Sequence, residues 1–205
     1  MVKSKIIKDI VQDEISLDGA LNRLMIITNS LENEELNDWI EGELNGYSNS
    51  DDIPDYRKNI RYIIRYSGIN GSFQVNNNVL PESLFTKEIK EALRSRVITS
   101  GIKTIEKAVS GEFNVSFDLI ELAPIVYKKS DYMITCMKLE QVIDKTSFLE
   151  ILSNVKTKLI SILLRLEKEF GNLDNLDIDV GLKNDIELEN LNDSISKTLY
   201  HDGIL

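Results

Sequence analysis

A chain of 205 residues is long enough for one domain with its own core, or for one domain plus an appendage. Its 42% hydrophobic and 28% charged content is that of an ordinary soluble globular protein, and no run of about eighteen apolar residues is present to span a membrane. A net charge of −10 argues against whole-surface attraction to nucleic acid, and a single cysteine rules out an internal disulfide.

The predicted elements begin with an amphipathic helix over residues 3–15, where Ile6, Ile7, Ile10 and Val11 recur at helical spacing. This basic start meets Asp9, Asp13 and Glu14 too early to be a signal peptide. Ser16 or Asp18 can cap a second helix through Ala20, Leu21, Leu24 and Met25 toward Leu31. Asn33 caps a third, Glu34 and Glu35 complement its dipole, and Gly46 ends it in a left-handed turn. Links this short predict a three-helix antiparallel unit.

The third helix carries the most informative pattern. Leu36, Trp39, Ile40, Glu43, Leu44 and Tyr47 share one face, so Glu43 sits inside an apolar stripe between Trp39 and Tyr47. A carboxylate buried there needs a partner or a task, because burying it alone costs on the order of several kcal/mol. Arg57 is the nearest candidate, ten residues past Tyr47.

After a polar loop over Ser48–Asp55 containing Pro54, the period changes. Ile60, Tyr62, Ile64 and Tyr66 alternate with Arg57, Asn59, Arg61 and Arg65, which predicts a half-buried strand with an arginine face. Ser72–Asn76 reads as its hairpin partner across Gly68–Gly71. Helices are predicted over Thr86–Arg96 and Ser100–Val109, a strand within Glu112–Val126, and a strand in the first half of Tyr132–Leu139. A long helix over Phe148–Phe170 follows, opened by a Ser147/Glu150 capping box and closed by Gly171. Its stripe of Phe148, Ile151, Leu152, Val155, Leu159, Ile162, Leu163, Leu166 and Phe170 stabilises by about 1.5–3 kcal/mol per buried side chain before entropy is subtracted. That stripe belongs to the domain core or to a dimer seam; the core is favoured. Residues 173–205 hold eight acids against Lys183 and Lys197, a net −6, with a short helix expected over about 185–200. The fold class is α+β and helix-dominated: a three-helix N-terminal unit, a small antiparallel β-sheet and a long C-terminal amphipathic helix. The expected division is a domain over 1–172 and an acidic tail over 173–205.

Several chemistries are poorly supplied. The one histidine, His201, lies near the terminus, no His/Cys spacing suits zinc, and no metal site or cofactor is expected. The GING of Gly68–Gly71 lacks the Lys-Ser/Thr of a phosphate-binding loop. Cys136 lies among Met133, Ile134 and Met137 and reads as a buried thiol in a reducing cytoplasm.

The combination of two N-terminal helices, the WIEGELNGY of Trp39–Tyr47, the IPDYR of Ile53–Arg57 and the VKTKLISILLRLEKE of Val155–Glu169 resembles the AbiTii domain family over roughly residues 1–172. The resemblance implies a role in bacterial abortive infection against phage. It carries over motif residues Trp39, Glu43, Leu44, Gly46, Tyr47, Pro54, Tyr56 and Arg57, and names no reaction. Two readings of the motif follow. In the structural one, Arg57 folds back as a bidentate partner of Glu43, beneath Trp39 and Tyr47. In the other, Glu43 and Arg57 form a pocket lined by Tyr47 and Tyr56 that acts on nucleic acid or a nucleotide, which requires a solvent-reachable guanidinium. Arg57, Arg61 and Arg65 could also meet RNA, although a solvated strand face is favoured. The expected mode of action is an interaction or sensing module, with a second copy or a partner defence protein, and without membrane contact.

Overall fold

The computed structural model describes residues 3–48, 53–111 and 115–200. His201, Asp202, residues 49–52 of the polar loop and residues 112–114 of an expected strand lie outside the described residues. The chain divides into two compact units. The first comprises Met1–Pro54, Thr99–Glu106 and Glu150–Leu205; the second comprises Asp55–Ile98 and Lys107–Leu149.

The first unit is helical. Helix α1 spans Lys5–Val11, α2 Leu17–Ile27 and α3 Glu34–Asn45. Ser16 caps α2 by accepting from Gly19 N at 3.1 Å, and Asn33 caps α3 by accepting from Leu36 N at 2.9 Å. Helix α2 packs on α1 and α3, burying Ile10, Leu21, Leu24, Ile27, Leu36 and Ile40. The unit also holds the start of α5, whose full span is Ile102–Ser110, and most of α7, Lys145–Phe170. Along α7 the expected stripe is buried from Phe148 to Leu166, with only Leu152 and Phe170 half-exposed.

Helix α8, Asp185–Tyr200, packs on α3 and turns Leu191, Ile195 and Leu199 inward at one-turn spacing. Residues 173–200 therefore belong with the first unit. Lys158 of α7 is buried, and its Nζ donates to Thr198 O and Leu199 O, both at 3.0 Å. An ammonium on the last carbonyls of a helix satisfies orphan acceptors and opposes the negative end of the dipole. Asn33 Nδ2 donates to Asn192 Oδ1 at 3.0 Å, Lys183 pairs with Glu169 at 2.7 Å, and Arg165 bonds Ser194.

The second unit is a four-stranded antiparallel sheet with short helices. Strand β1 spans Tyr62–Asn70, β2 Phe73–Val79, β3 Ser116–Asp118 and β4 Ile134–Ile143, in the order β2-β1-β4-β3. Its core gathers Ile64, Tyr66, Leu80, Phe85, Leu139 and Val126, together with Leu93 of α4 (Lys87–Arg94). Tyr62 and Tyr66 lie on this inner side, opposite Arg65, as the alternation predicts.

Four local expectations differ from the structure. Strand β1 starts at Tyr62 because Asn59 has φ +54°, which interrupts an extended run, and Asp55–Arg57 is a 3-10 turn. Among the described residues of the expected strand over 112–126, the strand is confined to Ser116–Asp118; Asp118 Oδ1 accepts from Ile120 N at 2.9 Å and helix α6, Ala123–Lys129, follows. Pro124 fits there because the first turn of a helix needs no partner for its N–H. Strand β4 continues to Ile143, well past the first half of the predicted segment. The capping box at Ser147 does not form: α7 begins at Lys145, Asp144 accepts from Thr146 N at 2.7 Å, and Ser147 Oγ instead accepts from Arg61 N at 2.8 Å.

Candidate functional site

The motif on α3 builds a closed arrangement inside the first unit. Trp39 and Glu43, one turn apart, are both buried, and Glu43 is 0% exposed. The Tyr47 hydroxyl donates to Glu43 Oε1 at 2.8 Å, so the carboxylate has a hydrogen bond from its own helix end. For that bond the Tyr47 ring must lie back across Gly42. A Cβ at position 42 would stand 2.3 Å from the ring, a distance no packed structure tolerates.

Gly46 makes the return possible. Its φ of +93° and ψ of 163° are extended and mirror-image, not the expected left-handed helical turn, and this region is essentially restricted to glycine. A Cβ there would also stand 2.6 Å from Thr99 O. The same carbonyl accepts from Tyr47 N at 2.9 Å, which pins the chain as it leaves α3. Glycines at 42 and 46 thus serve one purpose: they let Tyr47 fold onto Glu43.

Arg57 is placed in the second unit. It closes the turn Asp55–Arg57 and is 0% exposed, with Nη1 donating to Ile98 O at 3.0 Å. Ile98 N donates in turn to Arg57 O at 3.0 Å. The guanidinium therefore anchors the segment after α4 to the turn before β1. Tyr56, beside it, is half-buried.

The arginine face of the sequence does not assemble as expected. Arg57 is buried in a turn, Arg61 is exposed ahead of the strand, and Arg65 alone lies on β1. Asn59, the residue with positive φ, breaks the alternation that would have aligned them. Arg65 borders a groove of about 720 Å³ on the outer side of the sheet, with Ser67, Asn77, Ser116, Lys138 and Glu140. The cations in this groove already have partners: Arg65 Nη1 donates to the backbone carbonyl of Asn77 at 2.9 Å, and Lys138 pairs with Glu140 at 2.7 Å.

Of the predicted site residues, Trp39, Glu43, Gly46, Tyr47 and Pro54 fall in the first unit, and Tyr56, Arg57, Arg61 and Arg65 in the second. Sequence reasoning missed Gly42 and a second buried carboxylate. Glu167 of α7 accepts from Lys3 Nζ at 2.6 Å, Ser4 N at 2.6 Å and Ser4 Oγ at 2.7 Å. Burial pushes the Glu167 carboxyl up, but these three donors outweigh it and hold the group at about 2. Lys158 and Glu167 both lie beside the apolar stripe of α7, at helical offsets that include Val155, Ile162 and Leu163, so periodicity held the signal. Glu106, which accepts from Leu17 N at 2.8 Å, is shifted the other way: burial pushes its carboxyl above the usual range. Burial likewise raises the Cys136 thiol, which disfavours the reactive thiolate.

Among the described residues no cluster of histidine, cysteine, aspartate or glutamate could hold a metal ion, and no described helix is long and apolar enough to cross a membrane. No significant match was found among curated proteins or among solved structures. The AbiTii family model matches residues 3–188, a range that takes in both motif segments, the whole of α7 and the start of α8. With most of its length matched, the chain belongs to the AbiTii family.

Proposed function

We propose that this protein acts in phage defence as an interaction or sensing module that associates with itself or with a partner defence protein, and that its motif is a structural lock. Membership of the AbiTii family suggests abortive infection as the biological setting. The observation that carries the mode of action is the complete burial of Glu43 and Arg57, each with hydrogen bonds inside its own unit. A carboxylate acting as a base, or a guanidinium gripping phosphate, has to reach its substrate. Buried polar groups with satisfied bonds instead fix a unique geometry. The work of the motif is then to hold α3 and the turn before β1 in shape, which leaves recognition to exposed surfaces.

The test pairs thermal melting with protection of cells against phage. Tyr47→Phe and Arg57→Lys are expected to lower the melting temperature, and to reduce protection only as far as folded protein is lost. Variants that melt like the wild type yet give no protection would overturn the structural reading and favour a Glu43/Arg57 pocket acting on nucleic acid or a nucleotide.

A further inference from the structure

The two units differ sharply in charge. The first contains eleven basic and twenty-four acidic side chains, a net −13; the second contains thirteen and ten, a net +3. Each also exposes large apolar side chains next to charges of its own prevailing sign. In the second unit, Phe73 (76% exposed), Tyr132 (66%) and Met133 (53%) stand at the hairpin end of the sheet. Their proximity follows from the backbone: Asn70 pairs with both Phe73 and Ile134, and Gly71 N donates to Met133 O at 2.8 Å. Tyr132 is held edge-on to Tyr127 at 5.1 Å. The exposed Lys128 and Lys129 rim this patch, against a single acid, Asp131.

In the first unit, Leu182 (72% exposed) and Ile186 (71%) stand at the entry to α8 beside Asp185, Glu187 and Glu189. Lys183, the one cation among them, is engaged with Glu169. Isolated exposed apolar residues are ordinary, whereas apolar clusters rimmed by charge mark association surfaces. Two copies of a chain with net charge −10 repel at long range, so a contact between them must set the positive patch of one against the negative patch of the other.

We propose that the protein self-associates head to tail, the Phe73/Tyr132/Met133 patch of one copy receiving the Leu182/Ile186 patch of a second. This rests on the reading of the chain as an association module and names the surface it uses. Because the contact joins two unlike patches, loss of either one disables it. The attraction is partly ionic and weakens with salt.

The experiment is analytical ultracentrifugation of the full chain at about 50 mM and about 500 mM salt, with Phe73→Glu and Ile186→Lys as single variants. The wild type is expected to exceed the 23.4 kDa monomer as concentration rises at low salt, and to fall toward it at high salt. Each variant alone should stay monomeric and melt like the wild type, with Met133→Glu replacing Phe73→Glu if that variant misfolds. An equimolar mixture of Phe73→Glu and Ile186→Lys should form a one-to-one complex, since each retains the patch the other lacks. A wild type that stays monomeric at every concentration overturns the proposal, as does a mixture that stays monomeric. Retention of the basic patch on anionic lipid vesicles by a monomeric wild type would assign it to a membrane surface instead. Variants that assemble as the wild type does overturn this surface but leave self-association, and with it the proposed function, standing.

Discussion

Arg57 and Ile98 bind each other twice: the guanidinium donates to the Ile98 carbonyl at 3.0 Å, and the Ile98 amide donates to the Arg57 carbonyl at 3.0 Å. A side chain and a backbone together thus clamp two segments forty-one residues apart. Removing the side chain leaves a buried carbonyl short of a donor and opens a large void. Arg57→Ala should cost about 2–4 kcal/mol or more, and Arg57→Lys, which keeps the charge but loses the planar fork, somewhat less. At about 2–4 °C per kcal/mol for a chain of this size, calorimetry would resolve both. Loss of less than about 1 °C in Arg57→Ala would remove the clamp from the account.

Gly42 offers a sharper test, because its neighbours reverse an ordinary expectation. Alanine in a helix interior normally stabilises relative to glycine by up to about 1 kcal/mol. Here the new methyl would stand 2.3 Å from the Tyr47 ring, so Gly42→Ala should destabilise by about 1–3 kcal/mol. In a Tyr47→Ala background the clash is gone, and the same substitution should become neutral or favourable. A double-mutant cycle measured by denaturant unfolding checks this, and additive effects would refute it.

Glu167 predicts the acid behaviour of the first unit. Its folded pKa, about 2, lies below the ordinary value of 4.5. A depressed carboxyl stabilises the fold above its unfolded pKa, and that contribution is lost as pH falls from about 4.5 toward 2. Glu167→Gln should therefore flatten the acid side of a stability profile, and Ser4→Ala, lacking one donor, should shift it to higher pH. Glu106 acts with opposite sign: its raised pKa gives a contribution present at low pH and lost as pH rises through the folded value. Unfolding followed from pH 2 to pH 7 separates the two, since only Glu106→Gln should gain stability at the neutral end.

Lys158 predicts where the structure loosens first. Its ammonium holds the Thr198 and Leu199 carbonyls, so Lys158→Met should release the last turns of α8 while α2 and α3 keep their packing. Hydrogen exchange is the measurement: faster exchange over residues 191–200, with α2 amides unchanged, is the expected pattern. Uniform acceleration across the unit would mean that Lys158 supports the core as a whole.

Sequence periodicity alone determined the helical face of α3, the buried stripe of α7, the inward tyrosines of β1 and the amphipathic helix after residue 184. These are local matters, set by spacing and by which side chains leave water. It also identified Glu43 and Arg57 as charges in unusual surroundings. Tertiary structure decided what those surroundings are. No sequence rule foretold that Tyr47 would turn back over Gly42, that Asn59 would take a positive φ and separate Arg57 from Arg61 and Arg65, or that Asp144 would outcompete Ser147 as a cap. Each depends on groups distant in sequence, or on backbone choices that are nearly equal in energy until packing selects one. Burial of a charge is likewise a property of everything around it, and only the folded chain shows that the guanidinium of Arg57 and the carboxylate of Glu43 are closed to solvent.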